Sequence, residues 1–153
     1  MTEPVHLSAT EMLGLLRARE ISAAELTEAH LRRIDEVNGQ VNAVVTLSAD
    51  RAMDEARRLD DDLARGVWRG PLHGLPIAFK DLTDTVGIRT TYGSRLFAEY
   101  VPREDALVVK RARAAGAVTL GKTNTPEFGT GSHTVNEVFG ATRNPYDLTR
   151  SAG

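Results

Sequence analysis

The sequence of 153 residues contains no cysteine, few aromatic residues and no long hydrophobic segment. Without cysteine, disulfides, thiol chemistry and thiolate metal sites are excluded, and a reducing, cytoplasmic location is expected. No segment reaches the roughly 20 apolar residues of a membrane-spanning helix. Residues 1–6 also lack the basic start and the apolar run of a secretory signal. We therefore expect a cytoplasmic protein that does not enter a membrane.

The charges nearly cancel, since 19 Lys and Arg oppose 21 Asp and Glu and leave a formal net charge of −2. A chain without a basic excess has no general attraction to nucleic acids or anionic membranes, so neither is an expected partner. Hydrophobic residues make up 41% and charged residues 26%, which is typical of a folded domain. The histidines lie singly, without the clustered spacing of metal ligands, so we expect no metal site.

Helix-start signals dominate the first 66 residues. Ser8 with Glu11, and Ser22 with Glu25, form two capping boxes, each flanked by apolar residues at the staple positions. They predict two helices that begin close together in the sequence. A third helix is predicted over residues 49–65, where apolar side chains recur at helical spacing.

Two shorter features interrupt this helical part. Ala43–Leu47 is apolar and rich in β-branched residues, which predicts a strand. Asp60, Asp61 and Asp62 are consecutive acids that could suggest a metal site. We interpret them as a solvated helix face, because consecutive helix residues point in different directions.

The rest of the chain, residues 67–153, is predicted to contain a strand at Leu75–Phe79, a helix at 105–115 and a strand at Val118–Leu120. This order predicts two parallel strands joined by a crossover helix and favours the α/β class. Sheets usually have more than three strands, so strands are missing from this count or the chain supplies part of a sheet. Residues 121–153 are rich in Gly, Thr, Asn, Ser and Pro and are expected to form loops or short helices.

One short motif is misleading. Gly116–Thr123 matches the phosphate-loop pattern of two glycines followed by Lys122 and Thr123. That chemistry needs a strand, a loop whose amides surround a phosphate, and then a helix. Here a predicted helix precedes Gly116 and the middle residues are strand-like. Nucleotide binding is therefore not expected.

Lys80 is the first candidate for chemistry, because it ends an apolar strand where open α/β sheets place their sites. If its ammonium group is buried, it loses hydration, its pKa falls and a neutral amine becomes available as a proton acceptor. In the alternative interpretation, the stem of the lysine covers apolar surface while its charged end reaches water.

The second candidate is the segment that contains Thr130, Gly131 and Ser132. Glycine lets a backbone approach a ligand closely, and the hydroxyl groups can donate hydrogen bonds. Ser132 beside His133 suggests a nucleophile and a base, although neighbours in sequence rarely hold that geometry. A tight structural loop is the alternative.

Four segments are informative when they are considered together: Gly70–Asp81, Thr90–Ser94, Gly121–Gly129 and Asn136–Asp147. Each resembles a segment of the amidase signature family, and they occur in the order found there. The resemblance extends over nearly the whole chain, including the helical N-terminal part. Several long segments in the right order are far more specific than one short motif.

The resemblance implies amide hydrolysis by a Ser–cis-Ser–Lys triad on a large α/β fold with a mixed sheet. It implies that Lys80 is the base, which acts through a serine held by a cis peptide bond. It also implies a small-molecule amide substrate bound near Thr130, Gly131 and Ser132 and no cofactor, and it is compatible with a homo-oligomer. An activated hydroxyl group and an oxyanion hole are what amide cleavage requires.

The two serines of that triad have no counterpart among residues 1–153, because the family carries them beyond the position of Gly153. Neither Ser132 nor Ser151 is expected to replace them. We therefore expect the chain to be an inactive N-terminal part of a single amidase domain, helical over 1–66 and α/β over 67–153. The alternatives are the amidase component of a tRNA-dependent amidotransferase and a non-catalytic binding or assembly module.

Overall fold

The computed structural model describes residues 3–153, so the first two of the six residues assessed for a signal lie outside it. Helices and strands alternate irregularly along the chain. In chain order they are α1 (Ala9–Ala18), α2 (Ala23–Val41), β1 (Val44–Leu47), α3 (Ala49–Ala64), β2 (Pro76–Lys80), α4 (Leu107–Ala114), β3 (Val118–Thr123), β4 (Val135–Asn136), β5 (Gly140–Ala141), β6 (Arg143–Asn144) and β7 (Asp147–Ser151).

Both predicted capping boxes are present. The Ser8 hydroxyl accepts the backbone N–H of Glu11, and the Glu11 carboxylate accepts the backbone N–H of Ser8 at 2.7 Å. Ser22 and Glu25 make the same reciprocal pair before α2, at 2.8 and 3.1 Å. The predictions of α1, α2, β1 and α3 are therefore confirmed, with bounds that differ by a few residues at most.

The interpretation of the acidic triplet as a solvated face is wrong for two of its three members. Asp60 accepts the first two backbone N–H groups of α2, at 2.7 and 3.0 Å. Asp62 is buried and accepts hydrogen bonds from Arg69 at 2.5 Å and Arg65 at 2.7 Å, which hold the pKa of its carboxyl below the ordinary value. Residues two apart on a helix point in nearly opposite directions, so each acid finds different partners.

The main sheet has three strands in the order β1-β3-β2, and β1 is antiparallel to β3. Val118 donates its N–H to Leu75, and Asp81 donates its N–H to Thr123, both at 2.8 Å. Since the partners advance together along the chain, β2 and β3 are parallel. With α4 between them in sequence, this confirms the predicted strand–helix–strand unit.

Strand β3 continues three residues beyond the prediction, through Gly121, Lys122 and Thr123. Gly121 has a φ of +152°, and a Cβ atom there would lie 2.0 Å from the backbone oxygen of Thr46 in β1. The close pairing of the two strands therefore requires glycine at this position. Such a residue carries no strand signal in the sequence.

Residues 135–153 contain two small antiparallel pairs, β4 with β5 and β6 with β7. Val135 pairs with Ala141, and Arg143 pairs with Ser151. The prediction of loops or short helices for this region is corrected accordingly. The strands are too short and too polar to show an alternating hydrophobic pattern, which is why their sequence did not indicate them.

The chain forms two compact units. The first comprises the chain up to Arg33 with residues 48–77 and 110–120, and the second comprises residues 34–47, 78–109 and 121–153. The buried interior of the first unit is mostly aliphatic and includes Leu16, Leu26 and Val118. The second unit contains most of the buried polar side chains of residues 3–153. It also contains Lys80 and the segment 130–132.

Candidate active site

Lys80 is the last residue of β2, and its side chain is exposed. Its backbone oxygen accepts the N–H of Thr83 at 2.9 Å, which closes a four-residue turn, Lys80–Thr83. Among residues 3–153, no hydrogen bond or ion pair holds its ammonium group. The described residues therefore place Lys80 at the strand end, as predicted, with its side chain exposed.

Asp81, the second residue of the turn, is fully buried. Its carboxylate accepts the Thr91 hydroxyl at 2.5 Å and the Thr91 backbone N–H at 3.1 Å. Its backbone oxygen accepts the N–H of Tyr92 at 2.9 Å. Burial raises the pKa of Asp81, although the bonds from Thr91 and the charge of Lys122 act in the opposite direction. Both the backbone and the side chain of this residue are thus fixed.

Lys122 lies in β3, where the phosphate-loop motif would need a loop, and its side chain is fully buried. Its ammonium group donates hydrogen bonds to the backbone oxygen of Thr83 and to the hydroxyls of Thr85 and Thr90, the latter two at 3.0 Å. Sequence reasoning missed this residue. A usable signal was present, because only three of the 19 basic residues are lysines and two of them lie near the ends of neighbouring parallel strands.

Two non-glycine residues beside this region adopt left-handed backbone conformations, Tyr92 with φ +54° and Phe128 with φ +49°. Phe128 donates its N–H to the backbone oxygen of Tyr92 at 2.7 Å, and the two rings stack with centroids 6.5 Å apart. The Tyr92 hydroxyl donates to Asp84, and burial with this bond raises the pKa of Tyr92. Such conformations cost about 1–3 kcal/mol each and cluster at functional sites.

The segment Thr130–Ser132 is exposed throughout. Within it, the Thr130 hydroxyl donates to the backbone oxygen of Glu127 at 2.7 Å. Immediately before it, a Cβ atom on Gly129 would lie 2.8 Å from a methyl group of Leu82, which belongs to the Lys80–Thr83 turn. The residue just before the segment is therefore in contact with the turn that carries Lys80.

The adjacent pair Ser132 and His133 is not arranged as a nucleophile and base. The His133 Nδ1 atom lies 3.2 Å from the hydroxyl of Ser151, and Ser132 makes no side-chain hydrogen bond among the described residues. A Cβ on Gly153 would lie 2.4 Å from the backbone oxygen of Ser132. The last residues of the sequence therefore run alongside the 130–132 segment.

A comparison with protein families identifies the family of this chain. The profile of the family described as Amidase matches residues 25–153. The chain belongs to the amidase signature family. Within residues 3–153, no helix is long and apolar enough to span a membrane, and no group of three His, Asp or Glu side chains could hold a metal ion.

Individual relatives agree with the family. The A subunit of the glutamyl-tRNA(Gln) amidotransferase of Salinispora arenicola (strain CNS-205) is 48% identical over 153 residues, which are 100% of this chain and 31% of the relative. A solved 6-aminohexanoate cyclic dimer hydrolase is 38% identical, with a TM-score of 0.84 over 95% of this chain and 29% of its own. A bacterial aryl acylamidase is 30% identical, with a TM-score of 0.89 over 93% of this chain and 30% of its own. This chain thus spans just under a third of these proteins.

A second polar network of this amidase family member holds the segment around the 130–132 loop. The Asn124 side chain accepts the amide of Asn136 at 2.7 Å and donates to the Thr142 hydroxyl at 3.0 Å. Thr142 in turn donates to the backbone oxygen of Asn42 at 2.6 Å. Sequence reasoning did not identify these residues, since their partners lie 12 to 100 positions away. The network fixes both ends of an otherwise exposed loop.

Proposed function

We propose that residues 1–153 are the N-terminal part of an amidase that hydrolyses a carboxylic amide to an acid and ammonia or an amine, with Lys80 as the base. The observation that carries the proposal is the Lys80–Thr83 turn, in which a buried framework presents one exposed amine. The family membership supports the reaction class. Cytoplasmic location is part of the proposal and rests on the absence of cysteine.

In the proposed reaction, the neutral amine of Lys80 accepts a proton that the cis serine relays from the nucleophilic serine. The serine oxygen attacks the amide carbon, and the oxyanion is stabilised by backbone N–H donors. The tetrahedral intermediate collapses as the Lys80 ammonium returns its proton through the cis serine to the amide nitrogen, which leaves as ammonia or an amine. Water then adds to the acyl–enzyme ester, gives one proton back to the serine oxygen and releases the acid. Both serines and the oxyanion donors are assigned to chain beyond Gly153.

Thr130, Gly131 and Ser132 are proposed to bind the amide substrate. Their exposure, the two hydroxyl groups and the contact of Gly129 with Leu82 support this assignment. Gly131 has a φ of +120°, a conformation that side chains rarely adopt, so the backbone is open to close approach by a ligand.

The test compares two proteins, residues 1–153 alone and an intact enzyme that continues through both serine segments. The short chain should neither hydrolyse simple amides nor react with a serine-directed phosphonate, because a base without its nucleophile has nothing to activate. In the intact enzyme, Lys80→Ala should remove most turnover, while the matched variant Lys110→Ala should not. Turnover by the short chain that disappears in Lys80→Ala, or full turnover by the intact Lys80→Ala enzyme, would contradict the proposal.

A second candidate is supported by the 48% identity to the A subunit of an amidotransferase. In that function the same chemistry would release ammonia from glutamine for use by a partner protein. The two candidates differ in substrate and in dependence on partners. Turnover of glutamine that rises in the presence of partner proteins would favour the amidotransferase, whereas partner-independent turnover of simple amides would favour the general amidase. A full-length protein that is folded but hydrolyses neither would favour the non-catalytic module.

A further inference from the structure

The side chain of Lys122 is a buried cation without an assigned role. Its exposed fraction is 0%, which is rare for lysine because burial removes the hydration of the ammonium group. It lies on β3, next to the strand that ends in Lys80. A buried charge persists when specific partners replace the lost water.

Three such partners come from the segment that follows Lys80. The Lys122 ammonium donates to the backbone oxygen of Thr83, and to the hydroxyls of Thr85 and Thr90 at 3.0 Å each. The Thr85 hydroxyl in turn donates to the same backbone oxygen of Thr83 at 2.9 Å, and the Thr90 hydroxyl donates to the backbone oxygen of Ile88 at 3.1 Å. Three acceptors therefore match the three donors of one ammonium group.

Thr83 connects this cluster to Lys80 directly. Its N–H donates to the backbone oxygen of Lys80 at 2.9 Å, while its own oxygen accepts Lys122. Between these two residues, Asp81 is held by Thr91 and by the backbone of Thr123. The backbone of the Lys80–Thr83 turn is thus bonded at both ends, although the Lys80 side chain itself is exposed.

We propose that Lys122 is a positioning residue for the amide hydrolysis assigned to Lys80: its buried ammonium fixes the Lys80–Thr83 turn and so sets the direction of the Lys80 side chain. The proposal rests on the proposed function of Lys80 as the base. An apolar side chain of similar length would fill the same space but would remove the charged donor of the Thr83 oxygen, which would keep only the Thr85 hydroxyl as a donor. The turn would then be free to rotate the base away from the serine it serves.

The decisive variants keep Lys122 and remove its acceptors one at a time. In the intact enzyme, Thr85→Val and Thr90→Val should each lower kcat about tenfold with little change in KM, because a displaced base slows the chemical step but not binding. Thr85→Ser and Thr90→Ser retain the hydroxyl and should restore kcat. Thr27→Val is the matched control, since Thr27 is equally buried and its hydroxyl has no partner. Unchanged kcat in the valine variants, or equal loss in the serine variants, would overturn the proposal.

Amide hydrogen exchange, which does not depend on catalysis, distinguishes the positioning role of Lys122 from the proposed role of Lys80 as the base. In residues 1–153, the amide of Thr83 should exchange with solvent at least about tenfold faster in the Thr85→Val/Thr90→Val double variant than in the wild type, measured by NMR. Faster exchange together with unchanged kcat would overturn the positioning role while Lys80 remains the base. Unchanged exchange would overturn it regardless of activity. If Lys80→Ala did not reduce turnover of the intact enzyme, the proposed function would be overturned. The exchange result would then stand as a structural finding alone.

Discussion

The two compact units are stabilised by different interiors. In the first, small and aliphatic side chains of helices α2 and α3, such as Leu26, Ala52 and Ala56, are buried. In the second, most of the buried side chains can donate or accept hydrogen bonds, including Asp81, Thr91 and Lys122. Apolar burial stabilises without directionality, whereas buried hydrogen bonds stabilise one geometry in particular.

This contrast indicates where precision is required in the molecule. The second unit carries the exposed Lys80 on the Lys80–Thr83 turn, and separate hydrogen bonds hold the backbone of that turn at Lys80, Asp81 and Thr83. A polar interior is costly if any partner is missing, so it is a poor choice where only stability is needed. We infer that its polar interior serves the geometry of the Lys80–Thr83 turn, while the apolar interior of the first unit serves mainly as a scaffold.

The largest effect on stability is expected from Lys122→Met. Methionine fills a similar volume but cannot donate to the hydroxyls of Thr85 and Thr90 or to the oxygen of Thr83, which keeps only the Thr85 hydroxyl as a donor. It also removes a charge near Asp81. We expect the free energy of unfolding to fall by about 3–5 kcal/mol, because three buried oxygens lose a charged hydrogen-bond donor. Urea unfolding followed by circular dichroism measures it. The control Lys110→Met changes an exposed lysine and should cost less than about 0.5 kcal/mol.

In the apolar unit, Leu26→Ala should have the next largest effect. Leu26 is fully buried in α2, and removal of its side chain leaves a cavity that costs about 2–4 kcal/mol. Leu26→Met, which conserves volume, should cost less than about 1.5 kcal/mol. If the interior of the second unit tolerated Lys122→Met better than the first unit tolerates Leu26→Ala, the contrast between the two interiors would be contradicted.

The helices and the two parallel strands could be predicted because their signals are local. Capping boxes lie within four residues, and apolar spacing is visible within one or two turns of a helix. Lys80 could be found for the same reason, since it directly follows an apolar strand. Its assignment as the base depended on the family resemblance and remains a proposal.

The hydrogen-bonded framework could not be predicted because its partners are distant in sequence. Lys122 meets its three acceptors across 32 to 39 residues. Asp60 similarly reaches the start of α2 across 36 and 37 residues. Threonine and lysine are ordinary surface residues, so only the pairing of strands reveals that these are buried. The predicted strand ends three residues before β3 does, because Gly121 and Lys122 have no strand preference.

A smaller effect is expected from pH through Asp81. Burial raises the pKa of Asp81 in the folded state above its ordinary value of 3.8, against the charges of Lys122 and Arg89. Its protonated form therefore favours folding: this contribution is complete below pH 3.8 and is lost as pH rises through the folded value. The difference in unfolding free energy between the wild type and Asp81→Asn should accordingly fall as pH rises from 3.8 towards neutrality. A difference that stays flat or rises would show that the carboxyl is not destabilised by its burial.

The smallest effect on stability is expected in the exposed 130–132 segment. The Ser132 hydroxyl has no hydrogen-bond partner among residues 3–153, so Ser132→Ala should change the free energy of unfolding by less than about 0.5 kcal/mol. If the segment binds substrate, the same variant in the intact enzyme should raise KM several-fold with kcat nearly unchanged, because a uniform binding interaction is lost. Steady-state kinetics with a simple amide separates these outcomes, and Ser94→Ala, which alters a buried serine of the same unit, provides the comparison. A variant that lost stability but kept its KM would place Ser132 in the structural framework and remove it from the substrate site.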